Sequence, residues 1–133
     1  MTPAIPLRFT DACKSLAGKG VLHDVSFSCP SGTITALLGP NAAGKTTVVA
    51  VATGLRGADS GRVDVFGRPV RERDARRRFS LVPQEISLPA AVTVRRCMAF
   101  VARQRGASSF APPESEICER LGIGRLMERR TGG

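Results

Sequence analysis

Apolar and polar residues alternate in two stretches near the start of the chain, residues 7–10 and 21–28, and this pattern predicts strands. In the second stretch Val25 and Phe27 have polar neighbours, so one face of that strand should be half-buried. Glycines within residues 17–20 predict the turn between the two strands. Residues 33–38 are mostly apolar, which is typical of a strand at the centre of a sheet.

Helical patterns then begin to alternate with strand patterns. Residues 46–55 predict a helix, and residues 47–52 within it are apolar nearly all round, which predicts burial against a sheet. Residues 62–66 and 79–82 predict two further strands, and residues 71–78 predict a short exposed helix between them. This order of elements predicts an α/β fold.

The last third of the chain is predicted to be helical. Thr93 is a favourable N-cap for a helix over residues 94–104. Two prolines open a second helix over residues 112–121, which Gly122 ends. A short helix is predicted at residues 125–129.

The clearest chemical signal lies at residues 39–47, between a predicted strand and a predicted helix. A helix N-terminus offers free N–H groups and the positive end of its dipole to an anion, and glycine lets the backbone approach a phosphate closely. The pattern G-x-x-x-x-G-K-[ST] of phosphate-binding loops fits at Gly39, Gly44, Lys45 and Thr46. We expect Lys45 to contact the β- and γ-phosphates and the Thr46 hydroxyl to ligate Mg²⁺. The predicted nucleotide-binding residues are Gly39, Pro40, Asn41, Ala42, Ala43, Gly44, Lys45, Thr46 and Thr47.

Length and composition indicate one cytoplasmic domain. The 133 residues are enough to bury a core. No apolar run approaches the roughly 20 residues of a membrane helix, and residues 1–6 lack the pattern of a signal peptide. The four cysteines are widely spaced without a C-x-x-C pair, and there is one histidine, so we expect reduced thiols rather than a zinc site.

The chain is strongly basic, with a net charge of +9 and arginines concentrated in residues 62–78 and 95–105. A basic surface attracts nucleic acid or anionic lipid. The chain has no Trp or Tyr, however, and its six Phe are scattered, so the stacking platform of a single-strand binder is absent. Glu72 and Asp74 interrupt the first arginine-rich segment, which favours a solvated helix there.

Residues 7–133 together resemble the first part of an ATP-binding cassette (ABC) ATPase domain. The matching runs are L-x-x-V-S-F at residues 22–27, L-L-G-P-N at residues 37–41, G-K-T-T at residues 44–47, G-L at residues 54–55 and S-G-x-V-x-V-x-G at residues 60–67. The pattern is most similar to importer- and exporter-type ATPases, particularly those of bacterial drug export.

This resemblance implies a P-loop NTPase (RecA-like) core with an N-terminal antiparallel β subdomain over about residues 7–92. The start of a helical subdomain would follow over about residues 93–133. L-V-P-Q-E at residues 81–85 is similar to the family's Q-loop, in which the glutamine ligates Mg²⁺ and couples the nucleotide site to the membrane domain. Gln84 would carry that role here.

The resemblance also implies cofactors and partners. The cofactors would be ATP and Mg²⁺. The partners would be a transmembrane permease subunit or domain and a second ATP-binding domain that forms a dimer with the first. The chain would lie in the cytoplasm, peripheral to the inner face of the cell membrane, and no specific nucleic acid is expected.

Two residues depart from the family's pattern. Ala42 stands where the family usually has glycine, and its β-carbon costs about 1 kcal/mol if the backbone φ there is positive. Leu16 stands where an aromatic residue usually stacks on adenine. Leucine offers apolar contact without ring stacking, so base recognition is expected to be weak and GTP stays open beside ATP.

The family's later motifs cannot be placed in these 133 residues. They are the signature, the Mg²⁺-coordinating Asp, the catalytic Glu and the switch His, and hydrolysis also needs a water oriented for in-line attack. We therefore identify no catalytic residue and expect no turnover by the chain alone. A fragment or truncated gene product would leave an unpaired strand edge or an exposed apolar face.

Three functions remain open from the sequence. The first is the ATP-binding part of a transporter ATPase, and the second is an inactive remnant that binds nucleotide without hydrolysing it. The third is a basic nucleic-acid-binding protein with an incidental phosphate loop.

Overall fold

The computed structural model describes residues 5–85, 88–106 and 116–132, with side chains except that of residue 116. The chain divides into two compact units, residues 1–81 and 82–133. The first unit contains a β-sheet and the helix that follows the phosphate loop, and the second contains helices. The subdomain boundary expected near residue 93 stays a prediction.

The sheet of the first unit has four antiparallel strands in the order β2-β1-β3-β4. Their bounds are β1 (Leu7–Leu16), β2 (Lys19–Cys29), β3 (Ser60–Val65) and β4 (Arg68–Pro69). The strands predicted at residues 7–10, 21–28 and 62–66 are therefore confirmed, two of them as parts of longer strands. Ala17 and Gly18 join β1 to β2 with φ of 49° and 77°, as in the tight hairpin turns that match strand twist.

The register of β1 against β2 shifts at three points, which indicates bulges or irregular pairing. Asp11 and Asp24 adopt positive φ of 47° and 46° where the register shifts. The Ser26 hydroxyl accepts from the Asp11 N–H at 2.8 Å and donates to the Asp11 carboxylate at 2.8 Å. The Ser26 side chain on β2 thus provides a hydrogen-bond acceptor for the Asp11 N–H, which the bulge removes from the ladder.

Helix α1 (Lys45–Ala52) packs on the sheet and completes the core of this unit. The predicted helix over residues 46–55 is confirmed but ends earlier, because Gly54 turns the chain with a φ of 68°. The core residues come from β1, β2, β3 and α1: Phe9, Ala12, Leu22, Val48, Val51 and Val63. Phe27 is partly buried and stacks on Phe9 at 4.7 Å between ring centroids, as the alternation in β2 predicted.

Two predicted strands are not formed. Residues 33–38 and 79–82 lie outside the strands of the described chain. An interior strand needs neighbours on both sides for its N–H and C=O groups, and the side chain of Ile34 is fully exposed at 101%. The expectation of an exposed apolar face is met at this segment, where Leu38 is 88% exposed.

The first unit ends with a short helix, α2 (Arg73–Arg76), inside the stretch predicted over residues 71–78. The second unit contains α3 (Val94–Gln104), α4 (Glu116–Arg120) and a 3₁₀ turn (Gly124–Leu126). The start of the helix predicted at residues 112–121 lies outside the described residues. The short helix predicted at residues 125–129 is instead the 3₁₀ turn.

The predicted N-cap of α3 is confirmed, since the Thr93 hydroxyl accepts from the Arg96 N–H at 3.4 Å. Near the end of the chain, the Thr131 hydroxyl donates to the Pro89 carbonyl at 2.6 Å. Arg95 also pairs with Glu128 at 2.6 Å. These contacts hold the last described residues of the unit against the loop before α3.

Candidate functional site

The loop of residues 39–47 takes a positive φ at two positions that flank Ala43 before α1 begins. Ala42 and Gly44 have φ of 66° and 87°, whereas Ala43 between them is not in the positive-φ region. The Ala43 N–H donates to the Pro40 carbonyl at 3.3 Å, which closes the turn. Such alternation forms a concave nest of backbone N–H groups that suits an anion.

Helix α1 starts directly behind this nest. The first N–H to find an intrahelical acceptor is that of Val48, which donates to the Gly44 carbonyl at 2.9 Å. The N–H groups of the first helical turn are therefore available, and the helix dipole adds partial positive charge at the same point. This end of α1 has the features of a phosphate-binding site.

Lys45 places its ammonium group over the loop. The Lys45 Nζ atom donates to the carbonyls of Gly39 at 2.8 Å and Pro40 at 2.7 Å. Among the described residues no carboxylate pairs with Lys45. Its charge is held at the loop by backbone oxygens and stays uncompensated, so it remains able to attract an anionic ligand.

The two threonines after Lys45 face different environments. Thr46 is exposed at the start of α1, so its hydroxyl is accessible to a bound ion. Thr47 is only 8% exposed and belongs to the buried side of the helix. Both threonines are predicted nucleotide-binding residues, and that assignment stays a prediction.

Strand β2 supports the loop from behind. Gly44 is buried, and a β-carbon built there would lie 3.1 Å from Leu22 Cδ2 and 3.2 Å from the Val21 carbonyl oxygen. Glycine is thus required at position 44 both for its φ and for close packing. Local sequence patterns do not predict this close approach, because Val21 and Leu22 lie more than twenty positions before Gly44.

Leu16 lies at the end of β1 in the same hairpin that supports the loop. It pairs with Lys19 across the turn and is half-buried. Val21, which is two residues beyond Lys19, and Leu22 are the residues that a β-carbon at Gly44 would meet. The hairpin therefore positions Leu16 on the element that packs against the phosphate loop.

Gln84 lies in the second unit, where it is exposed. Its role as a metal ligand and its coupling to a membrane domain stay predictions. In the part of the chain that the structure describes, no helix is long and apolar enough to cross a membrane.

The donor groups at the loop fit a Mg-nucleotide. Backbone N–H groups and an ammonium suit phosphate oxygens, and a hydroxyl oxygen is a ligand that Mg²⁺ accepts. The left-handed backbone at Ala42 and Gly44 keeps those N–H groups on one side of the loop. Residues 39–47 would therefore hold both the nucleotide phosphates and the Mg²⁺ ion.

Comparisons with known proteins show the family of the chain. The family model for ABC transporters matches residues 22–132. The Nod factor export ATP-binding protein I of Burkholderia lata is 38% identical over 82% of this chain and 36% of that protein. Its counterpart from Mesorhizobium japonicum is 38% identical over 94% of this chain and 37% of that protein. The SkfA peptide export ATP-binding protein SkfE of Bacillus subtilis is 36% identical over 78% of this chain and 41% of that protein.

Solved structures show the same fold. An ATP-binding subunit of an ABC transporter superposes with a TM-score of 0.83 at 25% identity, over 93% of this chain and 53% of that one. The cbiO1 protein of Clostridium perfringens, part of the ABC transporter complex cbiONQ, has a TM-score of 0.76 at 23% identity, over 96% of this chain and 55% of that one.

The chain spans about two fifths of the length of these curated relatives. The shared fold is that of a P-loop NTPase with its antiparallel β subdomain, and the family match covers most of the chain. The chain therefore belongs to the ABC transporter family and corresponds to part of its ATPase domain.

Proposed function

We propose that the chain is the nucleotide-binding part of an ABC transporter ATPase and that residues 39–47 bind Mg-ATP to power transport across a membrane. The observation that carries this proposal is the Lys45 ammonium, which two backbone carbonyls hold above the loop and which has no carboxylate partner among the described residues, at the N-terminus of a helix that offers its own N–H groups. Positive charge and aligned N–H donors at one point select a polyanion.

Each residue of the loop has a separate task in this proposal. The N–H groups of the nest and of the first turn of α1 bind phosphate oxygens, and Lys45 neutralises charge on the β- and γ-phosphates. Thr46 and Gln84 would ligate Mg²⁺. When bound, that ion would supply positive charge that offsets the negative charge of the phosphates. Leu16 offers an apolar surface to the base.

The partners follow from the family. We propose that the intact protein works with a transmembrane permease, pairs with a second ATP-binding domain and lies at the inner face of the cell membrane. The relatives named for Nod factor export and SkfA peptide export support export as the direction of transport.

The experiment is a nucleotide titration of the 133-residue chain, with phosphate release measured in parallel. We expect Lys45→Ala to weaken Mg-ATP binding at least tenfold, about 1.4 kcal/mol, because the charge at the loop is lost. Arg56→Ala is the matched control, since it removes one exposed positive charge beyond the end of α1. Equal affinity of Lys45→Ala and wild type would contradict the proposal.

The alternative functions give different results in the same experiment. Mg-ATP binding without phosphate release by the chain alone is expected, because the sequence offers no residue to orient the water. Binding that persists without turnover in the longer protein would instead identify an inactive remnant. Salt-dependent nucleic-acid binding that Lys45→Ala leaves unchanged would favour a nucleic-acid-binding protein.

The same titration, repeated with GTP, measures the selectivity of the site for the base. Leu16 lacks the ring that would stack on adenine, and a stacked aromatic contributes roughly 1–3 kcal/mol per base. We therefore expect GTP and ATP to bind with affinities within about tenfold of each other, a difference of about 1.4 kcal/mol. A much larger preference for ATP would show that other residues select the base.

A further inference from the structure

We propose that the first unit carries a second ligand site, for a small amphipathic carboxylate, in a cavity beside the C-terminal half of α1. The cavity has a volume of about 330 Å³, at the lower end of the roughly 300–1,000 Å³ of ligand pockets. It lies among the C-terminal half of α1, the loop that leads into β3, and strands β3 and β4. The proposed function makes no use of it.

The wall of the cavity is largely apolar. The accessible apolar lining comes from the half-buried Ala58, Pro69 and Val70, which lie over the buried core residues Val51 and Val63. An apolar wall gains free energy when it covers an apolar body, at about 25 cal/mol per Å² of area removed from water. This part of the cavity selects an alkyl or aryl group.

Two arginines supply the polar part of the lining. Arg62 uses its Nε atom to donate to both carboxylate oxygens of Asp64, at 2.7 and 2.6 Å. Within the described part of the chain its terminal nitrogens have no other carboxylate partner, so they can donate to a ligand. Arg71 lines the same cavity, and within the described residues no carboxylate pairs with its guanidinium. A planar guanidinium fork matches a carboxylate with two parallel hydrogen bonds.

The surrounding charge selects the sign of the ligand. Residues 56–78 hold eight arginines and four acidic residues, so the local field favours an anion. An anionic head on an apolar body satisfies both parts of the lining. Inorganic phosphate would leave the apolar wall uncovered, and an alkyl ammonium would meet like charge.

The cavity is separate from the phosphate loop. Val51 lies near the C-terminal end of α1, whereas the loop lies before its first residue, Lys45. Eight helical residues span about 12 Å, so a ligand in the cavity does not occupy the nucleotide site. Ligand binding in the cavity can therefore be tested independently of nucleotide binding.

The test uses octanoate as the probe with the 133-residue chain, followed by calorimetry and by amide chemical shifts around β3 and β4. We expect saturable octanoate binding, with octanol, octylamine and inorganic phosphate each binding at least fivefold more weakly. Arg71→Gln should weaken octanoate binding at least fivefold, and Lys45→Ala should not change it. Arg73→Gln is the matched control, because Arg73 is exposed on α2 and does not line the cavity.

Two results would overturn the proposal. One is equal binding of octanol and octanoate, since that would leave the arginines without a role. The other is octanoate affinity that Arg71→Gln leaves unchanged. Because Arg71 is exposed, the variant should keep its fold, which circular dichroism would verify, and Arg71→Lys should retain part of the affinity through its charge.

Discussion

At the scale of single residues, position 42 stores strain beside the phosphates. Ala42 adopts a φ of 66°, in the left-handed region where a β-carbon crowds the following carbonyl. The sequence predicted a conformational free-energy cost for Ala42 if its φ were positive, and its φ in the structure is positive. The residue is exposed, so removal of its methyl group loses no packing.

We expect Ala42→Gly to raise the free energy of unfolding by up to about 1 kcal/mol and to bind Mg-ATP as tightly as wild type or more tightly. Urea unfolding and a nucleotide titration would measure the two effects. Ala43→Gly is the control: its φ is not positive, so glycine there should lower stability. A clear loss of nucleotide affinity in Ala42→Gly would refute this account.

At the scale of elements, two glycines share the same φ but differ in their surroundings. Comparing them distinguishes the cost of a left-handed backbone from the cost of a steric overlap. Gly61 and Gly67 both have a φ of 76°. A β-carbon at Gly61 would overlap the backbone carbonyl oxygens of Thr10 and Asp11, at the bulge of β1. A β-carbon at Gly67 would meet no atom within 4 Å.

We expect Gly67→Ala to cost about 1–2 kcal/mol for the left-handed conformation alone. Gly61→Ala should cost about 1–3 kcal/mol more, because β1 must move away from β3. Chemical denaturation of both variants gives the difference directly. Equal destabilisation would mean that the bulge yields freely and that Gly61 is needed only for its φ.

The entry into β3 is fixed by a charge pair that responds to pH. Asp59 accepts from Lys14 Nζ at 2.5 Å and from the Ser15 N–H at 2.6 Å. The hydrogen bond from Lys14, followed by that from the Ser15 backbone, holds the pKa of Asp59 below its ordinary value of 3.8. The carboxylate form is the one that the fold stabilises.

The sign of the pH effect follows from that direction. A carboxyl group with a lowered pKa in the folded chain contributes stability above its unfolded pKa and loses it as pH falls through the folded value. We expect Asp59→Asn to be less stable than wild type at pH 7, with a difference that shrinks as pH falls below 3.8. Urea unfolding at pH 7, 5 and 3 tests this, and a constant difference would argue against the pair.

Local signals explain which elements the sequence predicted correctly. The Thr93 cap, the β1–β2 hairpin and α1 each depend on residues a few positions apart, and all three form. Residues 33–38 and 79–82 carry strand-forming composition, but a ladder needs partners distant in sequence. The contact of Gly44 with Leu22 is also long-range, so the motif revealed the phosphate loop but not its support.

At the scale of the whole molecule, the two most exposed large apolar residues of the described chain lie where the predicted central strand fails to form. Ile34 is 101% exposed and Leu38 is 88% exposed, whereas Phe9 in the core is 2% exposed. Exposed apolar side chains next to unpaired backbone promote association between chains. They contribute little to the stability of a chain that does not bury them.

We expect the double variant Ile34→Thr, Leu38→Thr to keep its free energy of unfolding within about 0.5 kcal/mol of wild type, because neither side chain leaves a packed environment. Self-association, measured by analytical ultracentrifugation, should decrease, since the apolar surface that drives it is removed. Phe9→Ala is the contrasting variant and should cost about 3–5 kcal/mol through the cavity it leaves. If the double variant were as destabilised as Phe9→Ala, residues 33–38 would be buried in solution. That result would contradict the exposed, strand-free conformation of this segment.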